Sequence, residues 1–260
     1  MNPTVTYEAE GALGYVTLRR PAVLNAMNDA LLRDLGLALG EARTDPARVI
    51  IVRGEGRAFC AGADLGETHV QRTEAVYRRT RLRLERAIAR AVRRLGKPLV
   101  AQVHGAAIGG GCVLALLCDV RMAAAGTRFA LPEAGVGTTA SLGGMYMLAR
   151  IVGLGRAFEL LYAGRSIDAA RAEAIGLVNA VGEPERLEQD VRAFALGVAA
   201  QFPGALSSTR AALLRGLEMD FLSAAGIETE AAMRAHLSGD FARGLAQARD
   251  RLKARAARLR

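Results

Sequence analysis

Three consecutive glycines, Gly109-Gly110-Gly111, constrain this chain more than any other feature. They stand between a strand-like run, Pro98 to Val103, and an apolar helix-like run, Cys112 to Leu117. Glycine has no Cβ, so another group can come close to its backbone. The first turn of a helix presents unpaired N–H groups and a partial positive charge. A strand, a glycine turn and a helix start in succession therefore suit a site that holds an oxyanion. They suit a glycine-lined helix–strand contact or a nucleotide loop as well, and the rest of the chain has to decide. Two more loops follow strands: Phe59 to Leu65 after Val49 to Arg53, and Phe129 to Glu133 after Val120 to Ala123. The last of these ends on a carboxylate.

The pattern around these loops predicts alternating strands and helices. Val5 to Glu8 and Tyr15 to Leu18 read as a hairpin around Gly11-Ala12-Leu13-Gly14. Asn28 or Asp29 is placed to cap a helix running to about Ala42, with Leu31, Leu35 and Leu39 on one face. Leu84, Ile88, Val92 and Leu95 recur at helical spacing within a long helix from about Thr73, whose other faces carry Arg79, Arg83, Arg86, Arg90 and Arg93. Helices are also expected over Leu142 to Ile151 and Arg156 to Ala163, the first with Ser141 as its cap. From Pro184 onward the pattern becomes helical, with candidates at Leu187 to Ala200, Gly204 to Leu217, Phe221 to Leu237 and Phe241 to Leu259. The expected class is α/β with a helical C-terminal region.

Composition narrows the function classes. Hydrophobic residues make up 51% of the 260, enough for a real core and against disorder. No apolar run is long enough to span a bilayer, and the N-terminus lacks a signal-peptide pattern, so a cytoplasmic protein without a membrane partner is expected. Cys60, Cys112 and Cys118 have no paired metal spacing and read as buried, reduced thiols; no metal site is expected. The formal charge is +9, and of 35 lysines and arginines only Lys97 and Lys253 are lysines. Nucleic acid is the first partner such a charge suggests, but aromatics are scarce and no basic stacking module is present. A solvated arginine-rich surface, with some cations meeting a polyanionic small ligand, accounts for the charge better.

The ordered set of motifs resembles the crotonase superfamily, the enoyl-CoA hydratase/isomerase family. It comprises Arg20-Pro21, Leu24-Asn25-Ala26-Met27, Gly62-Ala63-Asp64-Leu65, His104-Gly105, Gly109-Gly110-Gly111-Cys112, Cys118-Asp119, Pro132-Glu133, Gly143-Gly144, Arg150-Ile151-Val152-Gly153 and Ala174-Ile175-Gly176-Leu177-Val178. The resemblance implies a spiral of ββα units, expected over residues 1–200, and a helical region, 201–260, that supports a homotrimer or hexamer. It implies an acyl-CoA thioester as substrate and no further cofactor. The N–H groups of Ala63 and Gly110 would form the oxyanion hole, with Glu133 as the catalytic acid/base. Val23, Leu24, Ala26, Ala61, Asp64 and Leu65 match the segments that hold coenzyme A.

Departures from the family pattern carry information too. Hydratases of the family use a second glutamate, and its position here is Val113, which cannot transfer a proton. Adding water requires activating that water and protonating the neighbouring carbon, whereas moving a double bond toward the thioester requires one base. Isomerisation is therefore preferred to hydration, with a non-catalytic coenzyme A- or RNA-binding homologue as a further alternative. Ser141 occupies a position where some relatives carry a catalytic aspartate; it is either an auxiliary group or the cap of the helix that follows. His69, after the Asp64 loop, is a second auxiliary candidate. Gly66 stands where a phosphate-binding lysine is common, and Arg243-Gly244 where the family usually has Glu-Gly.

Overall fold

The computed structural model describes residues 2–66 and 74–258. The chain divides into two compact units, one made of Met1–Leu95 and Leu99–Leu196, the other of Gly96–Pro98 and Gly197–Arg260.

The first unit begins with a hairpin of β1 (Val5–Glu10) and β2 (Leu13–Leu18). Glu10 pairs with Leu13, so the turn is only Gly11-Ala12, with Gly11 at a φ of 60°. Helix α1 (Asp29–Thr44) follows, capped by Asn28, whose Oδ1 accepts from the Leu31 N–H at 2.9 Å. Its Leu31, Leu35 and Leu39 are buried, as their spacing predicts. Then come β3 (Val49–Gly54), α2 (Glu74–Arg94), β4 (Leu99–Val103), β5 (Ala106–Ile108), α3 (Gly110–Leu116), β6 (Val120–Ala124) and β7 (Arg128–Ala130). The rest is α4 (Gly144–Val152), α5 (Leu154–Ala163), β8 (Ile167–Asp168), α6 (Ala169–Ala174), β9 (Ala180–Gly182) and α7 (Leu187–Ala199).

The strands form two sheets. The larger has the order β1-β2-β3-β4-β6-β9 and is parallel after its first pair; the smaller has the order β5-β7-β8. A parallel bridge from Cys60 to Ala107 extends the smaller sheet toward the end of β3. Each coil of the chain thus places one strand in the large sheet, one short segment in the small sheet and then a helix: β3, Cys60 and α2; β4, β5 and α3; β6, β7 and α4. This is the expected spiral of ββα units. Val49, Ile50, Ile51 and Val52 are all buried, as suits a parallel strand covered on both faces. Ile88, Val92 and Leu95 turn the apolar stripe of the second helical segment into the same core.

The second unit contains α8 (Pro203–Gly216), α9 (Phe221–Leu237) and α10 (Asp240–Arg258). Pro203 opens α8 where a missing N–H is harmless, and Asp220 caps α9 by accepting from Leu222 and Ser223. The helical C-terminal region is as expected. Among the described residues, no helix is long and apolar enough to cross a membrane.

One expectation is overturned. Ser141 does not cap the helix after it. That helix starts at Gly144 with Gly143, at a φ of 84°, in the capping position. The Ser141 hydroxyl instead donates to Glu85 Oε1 on α2 at 3.1 Å. The positive φ of Leu142 and Gly143 puts Gly143, not the serine, at the capping position.

Candidate active site

Three loops at the ends of β3, β5 and β7 converge. Gly62 sits at a φ of 91°, and a Cβ there would lie 2.6 Å from the Ile108 carbonyl oxygen and 3.4 Å from the Gly110 nitrogen. Only a bare backbone fits both the conformation and the space. The Ala63 loop and the start of α3 are thereby in direct contact. The Met27 N–H donates to the Gly62 carbonyl at 2.6 Å and the Asp64 N–H to the Met27 carbonyl at 3.2 Å, which fixes the peptide on each side of Ala63. The Ala63 N–H itself makes no backbone hydrogen bond among the described residues, and Ala63 is exposed. Gly110 is the first residue of α3, so its N–H has no partner within the helix. Two backbone N–H groups without a helix or backbone partner thus stand on touching loops, the type of donor an oxyanion hole uses.

Glu133 opens a short 3-10 turn, Glu133–Val136, behind the same glycines. Its Oε2 is buried without a hydrogen-bond partner in the structure. Its Oε1 lies so near the α3 entry that a Cβ on Gly109 would come within 3.0 Å of it. Gly109 adopts a φ of 50° and a ψ of −121°, a combination open to glycine alone, and its N–H is held by the Ala130 carbonyl at 2.8 Å. Burial raises the Glu133 carboxyl above the ordinary range, opposed by a hydrogen bond to its own backbone. A raised carboxyl with an unpaired oxygen beside Gly109, at the entry to α3, has the features of a proton-transfer group. Cys112 lies close behind it, but burial pushes that thiol up to about 12, which leaves it inert.

Val113, one turn along α3, is buried. Its methyl groups pack against Gly144, where any Cβ would collide with them. The position of the absent glutamate is filled by core packing.

The segments matched to coenzyme A binding are welded together by residues the sequence motifs contained without revealing their part. Leu24 and Asn25 both have positive φ, 52° and 56°. Asn25 is fully buried and holds that turn: its Oδ1 accepts from the Arg20 N–H at 2.9 Å, and its Nδ2 donates to Glu55 and Ala58 carbonyls at 2.9 and 2.8 Å. Arg20 Nη1 donates to the Ala26 carbonyl at 2.5 Å and to Asp64 Oδ2 at 2.8 Å. Ala61 donates its N–H to the Leu24 carbonyl at 2.9 Å. Val23, Leu24, Ala26, Ala61 and Asp64 thus belong to one bonded assembly, and Val23 and Leu65 expose their side chains along it. His69 lies outside the described residues. His104 places Nε2 2.9 Å from the Gly56 carbonyl oxygen. Among the described residues, no cluster of three or more metal-ligating side chains is present.

The sequence reading passed over one polar cluster. Glu85 Oε1 accepts from Arg81 Nε at 2.8 Å as well as from Ser141, and both α2 side chains are largely covered, 17% and 13% exposed. Arginines recur along α2, and nothing in their spacing distinguishes Arg81 or marks Glu85 as more than a surface pair.

Residues 8–254 match the family model described as enoyl-CoA hydratase/isomerase. A short-chain-enoyl-CoA hydratase of Clostridium acetobutylicum is 37% identical over 229 residues, 87% of each chain. A crotonyl-CoA hydratase of Syntrophomonas wolfei is 36% identical over 229 residues, again 87% of each. Among solved structures, an enoyl-CoA hydratase from Bacillus anthracis superposes with a TM-score of 0.90 at 31% identity, covering 95% of this chain and 96% of that one.

Proposed function

Since the chain belongs to the enoyl-CoA hydratase/isomerase family, we propose that it is an enzyme that isomerises enoyl-CoA thioesters with Glu133 as its proton-transfer group. The observation that carries the reading is the buried, unpaired Oε2 of Glu133 beside the α3 glycines. The substrate is a coenzyme A thioester held along Val23, Leu24, Ala26, Ala61, Asp64 and Leu65. Its carbonyl oxygen accepts from the Ala63 and Gly110 N–H groups. Glu133 removes a proton at C2, the enolate oxygen is held by the two donors, and the proton returns at C4. Each donor is worth about 3–4 kcal/mol of barrier in comparable sites. Val113 supplies no second acid, which supports isomerisation over water addition. No metal or further cofactor enters this scheme.

A second reading, hydration of the 2-enoyl thioester, draws support from the hydratase names of the relatives. An ultraviolet assay on crotonyl-CoA and a medium-length 3-enoyl-CoA separates the two. Conversion of the 3-enoyl substrate supports the isomerase reading; a protein that binds coenzyme A yet changes neither substrate refutes it. The assembly is a homotrimer or hexamer formed through the C-terminal helices, and the ligand is a small molecule, with no nucleic acid partner.

A further inference from the structure

We propose that Glu85, acting through Ser141, is a second proton-handling group of this site and gives the enzyme a water-adding activity beside isomerisation. The inference rests on the reading of Glu133 as the site's acid/base group.

A run of direct contacts leads from Glu133 to Glu85 across the first turn of α3. Glu133 Oε1 faces Gly109. The Val113 N–H donates to the Gly109 carbonyl at 2.9 Å, and Val113 packs on Gly144. The Gly144 N–H donates to the Ser141 carbonyl at 2.8 Å, and the Ser141 hydroxyl donates to Glu85 Oε1 at 3.1 Å. The turn that seals Val113 into the core is therefore the turn that presents Ser141, an exposed residue.

The Glu85 cluster has no evident structural purpose. A largely covered ion pair gains little, because removing both charges from water offsets their attraction. Arg81 compensates the charge and, with Ser141, ties down Oε1. Oε2 has no partner among the described residues, and it is not among the buried unpaired atoms. A serine whose proton points at a carboxylate turns its lone pairs outward, ready to accept from a water.

The step balances. A water oxygen bonds to C3 of a 2-enoyl thioester, and the π pair moves onto the thioester oxygen. The water proton passes to Ser141 Oγ while the serine's own proton passes to Glu85. C2 then takes a proton from the Glu133 carboxylic acid, whose pKa burial raises. Glu85 loses and Glu133 regains a proton through solvent, so no oxidant or reductant is needed. Ser141 meets the water; Glu85 acts through it as a positioning and relay residue.

The test uses the full-length protein and three variants, Glu85→Gln, Ser141→Ala and the double substitution, each assayed on crotonyl-CoA and on a 3-enoyl-CoA, with thermal melting and coenzyme A affinity as checks of folding. Wild type hydrates crotonyl-CoA, and the ratio of hydration to isomerisation falls by about 100-fold in each single variant, the size of a lost general-base contribution. The double variant falls no further, because the pair acts as a unit. A ratio held at the wild-type value in both single variants overturns the proposal. So does a wild type that isomerises without hydrating. A wild type inert on both substrates sinks the Glu133 reading together with this one, and that result is distinct from the other two.

Discussion

Glu133 and Gly109 act as one device. The carboxyl is raised because burial penalises its charged form, and it stays close to the entry of α3 because Gly109 has no side chain to displace it. Glu133→Gln removes proton transfer while keeping shape, so turnover should fall by about 100- to 10,000-fold, with coenzyme A affinity near normal in a calorimetric titration. A large affinity loss with residual turnover would contradict the assigned role. The base works only when ionised, so kcat/KM for isomerisation should fall on acidification through a pKa above the usual carboxylate range. Linkage has the opposite sign: a carboxyl raised in the folded state is stabilising at low pH, and that contribution is lost as pH rises through its folded pKa. Glu133→Gln should therefore raise the melting temperature at neutral pH and leave it unchanged in acid. Gly109→Ala should damage both properties. It imposes a strained conformation of about 1–3 kcal/mol and pushes on Oε1, and a displacement near 1 Å lowers turnover about 100-fold.

At the scale of elements, the site depends on two loops bonded as a unit. Arg20 reaches both the Ala26 carbonyl and Asp64, so the peptide carrying the Ala63 N–H inherits its position from a residue more than forty positions earlier in the chain. Asp64→Asn keeps the shape and removes the charge. It should lower kcat and raise KM together, for a loss of about tenfold in kcat/KM, matching about 1.4 kcal/mol; steady-state kinetics with unchanged melting would check this. How far such elements were legible in the sequence follows from their length and spacing. Helix α1 declared itself through Asn28 and the Leu31, Leu35 and Leu39 stripe, and β3 through four consecutive apolar residues. The strands β5, β7, β8 and β9 did not, because two or three residues are too few for an alternation to show. The glycine motifs marked where the backbone had to be bare. The partnership of Ser141 with Glu85 was invisible, since positive φ at Leu142 redirected a serine that local rules assign to a cap.

Two features belong to the molecule as a whole. Arg121 of β6 is buried and donates to the Leu177 and Cys118 carbonyls at 2.7 and 2.6 Å, while its N–H bonds Asn179 Oδ1 at 2.9 Å. One cation closes the last coil of the spiral onto the large sheet. Arg121→Met would remove two buried charge-assisted hydrogen bonds, at about 1–3 kcal/mol each, lowering the melting temperature by several degrees or more at about 2–4 °C per kcal/mol. The second feature is the surface of α9. Phe221, Leu222 and Leu237 are each about four-fifths exposed, at 82%, 79% and 83%. Exposed apolar side chains of this size at the ends of α9 suit the assembly proposed for the C-terminal helices. Light scattering should give a particle of three or six chains of 27.5 kDa. Phe221→Asp with Leu222→Asp should shift it to the monomer, since a charge at each position must be desolvated to re-form the contact. A wild-type protein that runs as a monomer at assay concentration would remove α9 as an interface and leave its apolar face without a role.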